Sequence, residues 1–192
     1  MIRFFVKRFL RVWYAILLLF VGGCVFGVLV PAGAFNSHIT EDPTRIIQKY
    51  LALDQKGARL NAASFEVLDP YVVWQDQPAW GHVVVIAAFQ IEPDAMKWEV
   101  IDGLEVKIPV TFKVLGTMHW ESVTFVPDAH QETHWFHIKA VYDRWQIIDP
   151  LLPPHVGRRR LVDFVRWAEL NEPDVRKKAL LASLQNQLNA KK

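Results

Sequence analysis

The stretch Glu105–Leu115, with the sequence EVKIPVTFKVL, alternates apolar and polar residues as far as Val114. Side chains of a β-strand point to opposite faces in turn, so this period predicts a strand with one buried face. The apolar face carries Val106, Ile108, Val110, Phe112 and Val114, and the other face carries Glu105, Lys107, Pro109, Thr111 and Lys113. Because proline cannot donate to a hydrogen-bond ladder, Pro109 indicates an edge or a bulge. We expect the whole strand to run from Trp98 to Leu115.

Other apolar runs on both sides of this stretch also predict strands. They are a short extended piece at Tyr71–Trp74, then Trp80–Glu92, Thr117–Val126, Thr133–Tyr142 and Trp145–Ile148. Only Asp143 and Arg144 separate the last two runs, so these two strands should form an antiparallel hairpin. Pro150, Pro153 and Pro154 then predict the end of the sheet.

Two helical segments are expected before the strands. Asp42 is a cap and Pro43 suits the first helical position, which predicts a helix that continues to Lys56 and stops at Gly57. A second helical turn is expected over Ala62–Leu68, with Asn61 as its cap and Pro70 beyond its end.

Two more helices are expected after the sheet, at Val156–Leu170 and Pro173–Leu188. The last one carries a narrow apolar stripe of Leu180, Leu181, Leu184 and Leu188, which either folds back on the domain or docks on another subunit. Helices followed by a run of antiparallel strands predict an α+β fold.

This element order, closed by the hairpin Tyr142-Asp143-Arg144-Trp145-Gln146-Ile147, resembles the NTF2-like (SnoaL-like) superfamily over residues 40–150. The resemblance implies a cone, in which N-terminal helices pack on a curved, mostly antiparallel sheet around a cavity. Members of the superfamily include dehydratases, isomerases, cyclases, transport adaptors and non-catalytic secretion or import components. The fold alone therefore decides little about function. No motif here matches a catalytic motif of the family, so no catalytic residue is carried over.

The N-terminal segment predicts a membrane anchor. Residues 12–40 contain no Asp, Glu, Lys or Arg, whereas Arg3, Lys7, Arg8 and Arg11 precede them. A helix over residues 12–30 would be about 28 Å long, close to the ~30 Å hydrocarbon thickness of a bilayer. The basic residues place residues 1–11 in the cytoplasm. Residues 31–39 would then be a linker, and the domain and the helical extension at 151–192 would lie outside the inner membrane, in the periplasm.

Three fates of this segment remain open. The first, which we prefer because the apolar run is long, is an uncleaved single-pass anchor. The second is a signal peptide cleaved after Ala32-Gly33-Ala34, which fits the small-residue cleavage pattern. The third is lipidation at Cys24, since Val21-Gly22-Gly23-Cys24 resembles a lipobox, although residues 25–30 stay apolar where a polar tether is usual.

Charge and cysteine content exclude several classes of function. Four of the 22 Lys and Arg residues precede position 12, which leaves 18 against 20 Asp and Glu residues and a charge near −2 for the rest. That balance gives no basis for nucleic-acid binding. Cys24 is the only cysteine, so the chain can form no internal disulfide and no cysteine-based metal site.

Two residue pairs are candidates for acid–base chemistry. His119 and Glu121 would share a strand face, so that the carboxylate could orient the imidazole. They are equally well explained as a polar pair at a sheet edge. Tyr50 and Asp54 lie four apart on the first predicted helix and could face a cavity together, but Asp54 could also be a solvated residue near the helix end.

Three histidines, His130, His134 and His137, have a spacing that would suit a metal site on a helix. On a strand, however, His134 and His137 point to opposite faces, and His130 would lie in the preceding loop. We therefore predict no metal site and no cofactor.

Two further groups are candidates for binding. Trp74, Trp80 and Trp120 could line a pocket for a small apolar ligand, although core packing is the more usual role of tryptophan. Arg158, Arg159 and Arg160 begin a predicted helix, where cations oppose the helix dipole. That cost suggests contact with anionic lipid or with an acidic partner; the alternative is a solvated run.

The predicted function is that of a membrane-anchored, non-catalytic accessory or assembly subunit of a membrane protein complex, which binds protein partners through its outer domain. The alternative is a small-molecule-binding or enzymatic domain of dehydratase or isomerase type, with a polar residue in the cone. The alternative needs an open cavity with at least two converging titratable groups.

Overall fold

The computed structural model describes residues 41–76 and 78–190, apart from the side chains of residues 62–64. These residues form an α+β structure in which a curled mixed sheet carries helices on both faces. The predicted segments 1–11, 12–30 and 31–39 lie outside the described residues. Within the described part, no helix combines the length and the apolar character needed to cross a bilayer.

The first helix, α1, spans Pro43–Gln55 and begins as its sequence predicts. Asp42 Oδ1 accepts a hydrogen bond from Thr44 N at 2.8 Å, and Pro43 occupies the first turn. Gly57 ends the segment with φ +81°, a conformation that glycine adopts without steric cost. The buried face of α1 consists of Ile46, Ile47, Tyr50, Leu51 and Asp54.

The second helical segment differs from the prediction. It is a 3-10 helix over Ala62–Tyr71 that contains Pro70, and Asn61 makes no side-chain cap. A 3-10 segment has few internal hydrogen bonds to lose, so a proline without an N–H is tolerated near its end. The extended piece expected at Tyr71–Trp74 is reduced to a bridge between Val72 and Ile147.

Six strands form the sheet: β1 His82–Ile91, β2 Glu99–Asp102, β3 Glu105–His119, β4 Thr124–Val141, β5 Arg144–Asp149 and β6 His155–Gly157. Their order is β5-β4-β3-β1-β6, and β2 pairs with β3 beside this path. The β1–β3, β2–β3, β3–β4 and β4–β5 pairs are antiparallel, whereas β6 runs parallel to β1.

Two predicted strands are wrong in their bounds because each contains a turn. The stretch predicted as one strand from Trp98 to Leu115 is the β2–β3 hairpin, where Asp102 Oδ1 accepts a hydrogen bond from Leu104 N at 2.6 Å. Such an aspartate turn reverses the chain without interrupting its apolar pattern. Likewise, the predicted strand Thr117–Val126 contains the turn between β3 and β4.

The predicted closing hairpin is confirmed: β4 and β5 are antiparallel and only Tyr142 and Asp143 join them. The prediction that the prolines end the sheet is wrong, because β6 follows them. Val84 N donates a hydrogen bond to Pro154 O at 2.9 Å. A proline lacks the donor but keeps the acceptor, so it can precede a short strand that pairs through its carbonyl.

An apolar core lies on each face of the sheet. The predicted alternation of β3 is confirmed: Val106, Ile108, Val110, Phe112 and Val114 are each at most 6% exposed and pack with α1. We call this side the α1 face. Helices α2 (Arg158–Asn171) and α3 (Val175–Asn189) cover the other side. That second core joins Val83, Val85, Met118, Val156, Leu161, Val165, Leu184 and Leu188.

Candidate functional site

A buried ion pair links the end of α1 to the segment that leads into β6. Arg59 contacts both carboxylate oxygens of Asp54, with Nη2–Oδ2 at 2.6 Å and Nε–Oδ1 at 2.8 Å. Both side chains are 1% exposed. Arg59 also donates to the carbonyls of Leu152 at 2.7 Å and Pro153 at 3.0 Å, and Asp54 Oδ2 accepts from His155 N at 2.9 Å. Asp54 is therefore not a solvated residue but the centre of a buried network.

Tyr50 packs beside this pair, as expected for two residues four apart on a helix. The Arg59 guanidinium lies 5.8 Å from the centre of the Tyr50 ring, which also packs against Trp74 and Phe136. Burial raises the pKa of the Tyr50 hydroxyl well above its ordinary value. Burial alone would lower the pKa of Arg59, but the Asp54 carboxylate beside it raises that pKa. Both groups therefore keep their usual protonation states and are suited to packing rather than to proton transfer.

A second polar cluster lies nearby on the α1 face. The two-residue period of β4 places Glu132, His134 and the buried Phe136 on the same side. β6 contributes His155, which is 2% exposed and stacks on Phe112 with ring centres 4.4 Å apart. His155 Nε2 lies 3.2 Å and His134 Nε2 3.5 Å from Glu132 Oε1. One ligand atom from each of the three residues lies within 4.8 Å of the others.

The proton on His155 can be placed from its partners. Nδ1 lies 2.7 Å from Pro153 O, and a carbonyl oxygen can only accept, so Nδ1 carries the hydrogen. In the neutral imidazole, Nε2 then presents a lone pair to the Glu132 carboxylate. A lone pair on His155 Nε2 and the negative Glu132 Oε1 repel each other at 3.2 Å. The contact is favourable only if Nε2 carries a proton or if a metal ion binds both atoms. In the protonated case, Nε2–H of His155 donates a hydrogen bond to Glu132, which lowers the pKa of Glu132 to about 2 and keeps that carboxylate ionised.

The predicted histidine set is only partly brought together. His130 is on β4 and not in a loop, and its Nε2 lies 3.5 Å from Glu132 Oε2. The hydrogen bond to the Asp128 carbonyl raises the pKa of His130. As predicted, His137 points to the opposite face, where its Nε2 lies 2.6 Å from Glu105 Oε1. Glu132 and His134 could have been paired from their i, i+2 spacing on a strand, but His155 could not, because β6 was not predicted.

The other predicted acid–base pair is not assembled. His119 is the last residue of β3, and its ring centre lies 6.0 Å from that of His82. Glu121 is exposed in the turn before β4. The expectation that the two share a strand face is wrong, because the chain reverses between them.

The three tryptophans proposed as a pocket lie at two different cavities. Trp74 lines a cavity of about 520 Å³ with residues of the 3-10 helix and β5. Trp80 and Trp120 line another of about 320 Å³ beside Arg59 and Pro154. Within the described residues, the buried Nε1 atoms of Trp74 and Trp80 have no hydrogen-bond partner.

Arg158, Arg159 and Arg160 form the first turn of α2, as predicted. Arg160 Nε donates to Lys56 O at 3.0 Å, and the three arginines border an open cavity of about 410 Å³ together with Lys56 and Asp163. Their contact with lipid or with a partner stays a prediction.

A surface that the sequence did not indicate lies where α2 meets α3. Trp167 is 64% exposed, Leu170 is 70% exposed and Val175 is 81% exposed. Trp167 and Leu170 are three apart on α2 and so share a face, and Val175 is the first residue of α3. We call these three residues the α2–α3 corner. The stripe predicted on the last helix folds back in part: Leu184 and Leu188 are buried in the second core and Leu181 is partly buried there, whereas Leu180 is 49% exposed.

Comparison of the chain with protein-family models, with curated proteins and with solved structures found no match.

Proposed function

We propose that this protein is a non-catalytic accessory or assembly subunit of a membrane protein complex, and that it binds a partner subunit through the α2–α3 corner. The observation that carries the proposal is the exposure of Trp167, Leu170 and Val175 at one end of a helix pair. Large apolar side chains grouped on a surface usually mark an interaction site, and tryptophan is the residue most enriched among interface hot spots.

The apolar packing beneath α1 supports a non-catalytic role. In an NTF2-like cone the α1 face would enclose the ligand cavity, and here Tyr50, Phe112, Phe136 and Trp145 are all buried on it. The helix-first order, the curled sheet and the β4–β5 hairpin are compatible with an NTF2-like cone. In this proposal the cone serves as a rigid support for the outer helices.

The proposed location is the inner membrane, with one span at residues 12–30. The basic residues at Arg3, Lys7, Arg8 and Arg11 would keep the N-terminus in the cytoplasm. The domain and the α2–α3 corner would then face the periplasm. A partner that approaches the corner would be a membrane protein or a periplasmic subunit with an apolar surface.

Site-specific photo-crosslinking of the full chain in membranes tests the proposal. A photoreactive residue at Trp167 or Leu170 should yield one discrete protein adduct. The same residue at Met96, which is 91% exposed in the short helix before β2, is the matched control and should yield none.

Substitution of the corner completes the test. Trp167→Ala should weaken partner binding by about 2 kcal/mol or more, which is roughly 30-fold, while the unfolding midpoint stays near that of the wild type. Equal adducts from Met96 and Trp167, or unchanged co-purification of the adduct protein with Trp167→Ala, would contradict the proposed interface.

The enzymatic alternative has one observation in its favour. Glu132 and His134 are half-buried titratable groups that converge on His155, which is the kind of arrangement that acid–base chemistry needs. A small-molecule-binding or enzymatic domain would lose ligand binding in His134→Ala and keep it in Trp167→Ala. An accessory subunit would instead lose partner binding in Trp167→Ala and keep it in His134→Ala. The two variants therefore distinguish the two functions.

A further inference from the structure

We propose that Glu132, His134 and His155 form a binding site for a divalent transition-metal ion of the Zn²⁺ type, on the α1 face between β4 and β6. This inference does not depend on the proposed partner-binding function. It rests on the positions of three potential ligand atoms and on the groups that hold one of them in place.

The distances suit a single ion. Zn²⁺ binds histidine nitrogen and carboxylate oxygen at about 2.0–2.2 Å, so neighbouring ligand atoms in a tetrahedral site lie roughly 3.3 Å apart. The Glu132 Oε1–His155 Nε2 and Glu132 Oε1–His134 Nε2 distances are 3.2 and 3.5 Å. All three ligand atoms lie within 4.8 Å of one another. The His134 ring is half buried rather than enclosed, and its Nε2 is the ligand atom that must move closer to bind the same ion.

The groups behind His155 are those that orient a metal ligand. Metal-binding histidines usually donate their second ring N–H to a carbonyl or carboxylate, which fixes the tautomer and the direction of the lone pair. His155 Nδ1 makes this contact with Pro153 O. The backbone N of His155 donates to Asp54, and Arg59 binds both Asp54 and Pro153 O. The buried ion pair therefore holds both the backbone and the ring partner of His155 in place.

The ligand types define the class of ion. Two imidazoles and one carboxylate suit Zn²⁺, Co²⁺, Ni²⁺ or Cu²⁺, whereas Mg²⁺ and Ca²⁺ prefer oxygen ligands. Because Glu132 and His134 are only half buried, solvent can reach the open coordination positions. His130 contacts the other carboxylate oxygen of Glu132 and lies outside the three-atom cluster.

The rival occupant of the site is a proton. A doubly protonated His155 would form an ion pair with Glu132 and would need no metal. The two cases differ in one measurable respect, because a proton-held pair gives no saturable, stoichiometric uptake of a transition metal at neutral pH.

The test uses the full chain in mild detergent, with any affinity tag removed and metals stripped by a chelator. Co²⁺ is titrated while its visible ligand-field bands are recorded, and Zn²⁺ then displaces it in competition. We expect one equivalent of Co²⁺ in the wild type. His134→Ala and Glu132→Gln should each weaken binding about 100-fold or more, because each removes one of three ligands.

His137→Ala is the matched control. His137 lies on the same strand as His134 but on the opposite face, and its variant should bind Co²⁺ and Zn²⁺ like the wild type. Added Zn²⁺ should also raise the thermal unfolding midpoint of the wild type and of His137→Ala, but not that of His134→Ala, since an ion that binds only the folded state stabilises it.

The proposal is overturned if the wild type takes up no stoichiometric Co²⁺ or Zn²⁺, in which case His155 and Glu132 are a proton-held pair. It is equally overturned if His134→Ala binds as tightly as the wild type, or if His137→Ala loses as much affinity as His134→Ala. Unfolding curves of each variant without metal show whether a loss of binding comes from a loss of fold.

Discussion

Asp54 and Arg59 are the residues whose burial most constrains this fold. Each side chain is 1% exposed, and the Arg59 guanidinium donates to the Asp54 carboxylate and to the carbonyls of Leu152 and Pro153, beside the face of Tyr50. A buried ion pair adds little net stability relative to an apolar pair, but removal of one partner leaves an uncompensated charge. The pair therefore acts as a specific tie between α1 and the Leu152–His155 segment.

Asp54→Asn should lower the free energy of unfolding by about 3–5 kcal/mol, because Arg59 then stays buried without a counter-charge. The measurement is urea unfolding of the full chain in mild detergent. Glu99→Gln is the control, since Glu99 pairs with Lys107 at 2.9 Å on the surface and such pairs contribute about 1 kcal/mol or less. If the two variants are equally stable, the Asp54–Arg59 pair is not needed to hold α1 to the Leu152–His155 segment.

Single residues could be foreseen in part. The sequence indicated Tyr50 and Asp54 as neighbours because helical spacing is a local property. It did not indicate Arg59, which lies beyond the Gly57 turn, where no periodic rule applies. It did not indicate His155 either, whose position depends on pairing with β1, far away along the chain. The candidate site therefore depends on long-range contacts that local patterns do not encode.

At the scale of elements, β3 carries a bulge that requires glycine. Gly116 has φ +146°, and the register with β4 shifts between Val114 and Gly116. A Cβ at Gly116 would collide with the carbonyl oxygen of Val126. Because of the bulge, Met118 packs in the second core, although Val114, four residues earlier on the same strand, packs on the α1 face.

Gly116→Ala should destabilise the protein by about 2–4 kcal/mol, the sum of backbone strain and a forced shift of β4. Gly103→Ala, in the β2–β3 turn, is the matched control. Gly103 has no positive φ and no atom within 4 Å of its added Cβ, so its effect should be small. Thermal unfolding of both variants gives the comparison, and a tolerated Gly116→Ala would mean that the bulge is not needed.

The opposite face of the β3–β4 pair carries a partly exposed charge cluster. Lys139 Nζ lies 2.8 Å from Glu105 Oε2, and His137 Nε2 lies 2.6 Å from Glu105 Oε1. The hydrogen bonds from Lys139 and His137 lower the pKa of Glu105 below its ordinary value of 4.5. A carboxylate with a lowered pKa stabilises the folded state above its unfolded pKa, and this contribution is lost as pH falls through the folded pKa.

Glu105→Gln should therefore be less stable than the wild type at pH 6, and the gap should narrow as the pH falls below about 4. Because the Lys139 side chain is 50% exposed, added salt should also narrow this difference in stability. The measurement is the free energy of unfolding of the wild type and of Glu105→Gln over a range of pH. Glu121→Gln is the control, because Glu121 lies in an exposed turn. If the difference in stability between the wild type and Glu105→Gln does not change with pH, the ion pair is not its cause.

Elements were predicted better than their bounds. The alternation in β3 identified the buried face, because the two-residue period of a strand is visible in the local sequence. The β2–β3 and β3–β4 turns were missed because both contain apolar residues, such as Leu104 and Val123, which hide the break between strands. β6 was missed because three residues are too few to show a periodic pattern. They form a strand because they pair with β1, which is distant in the sequence.

At the scale of the whole molecule, the arrangement supports the proposal that a partner binds the helices. Apolar side chains pack beneath α1 on one side of the sheet, and α2 and α3 cover the other side around β1, β6 and the end of β3. The exposed large apolar side chains include those of the α2–α3 corner. A stem at residues 12–30 would restrict the domain to a layer near the bilayer and raise its effective concentration for a membrane partner.

The last prediction concerns this stem. The full chain should stay in membranes through alkaline carbonate extraction, and a phosphatase reporter after residue 190 should be active, because that enzyme works only outside the cytoplasm. Replacement of Arg3, Lys7, Arg8 and Arg11 by glutamine is the sharper experiment. It removes the charge bias that fixes orientation, so a fraction of the chains should invert and reporter activity should fall. If the wild-type chain is released by carbonate, the anchor is absent. If instead the glutamine variant keeps full activity, the basic residues do not set the topology, and the arginines at positions 158–160 would become the next charges to test.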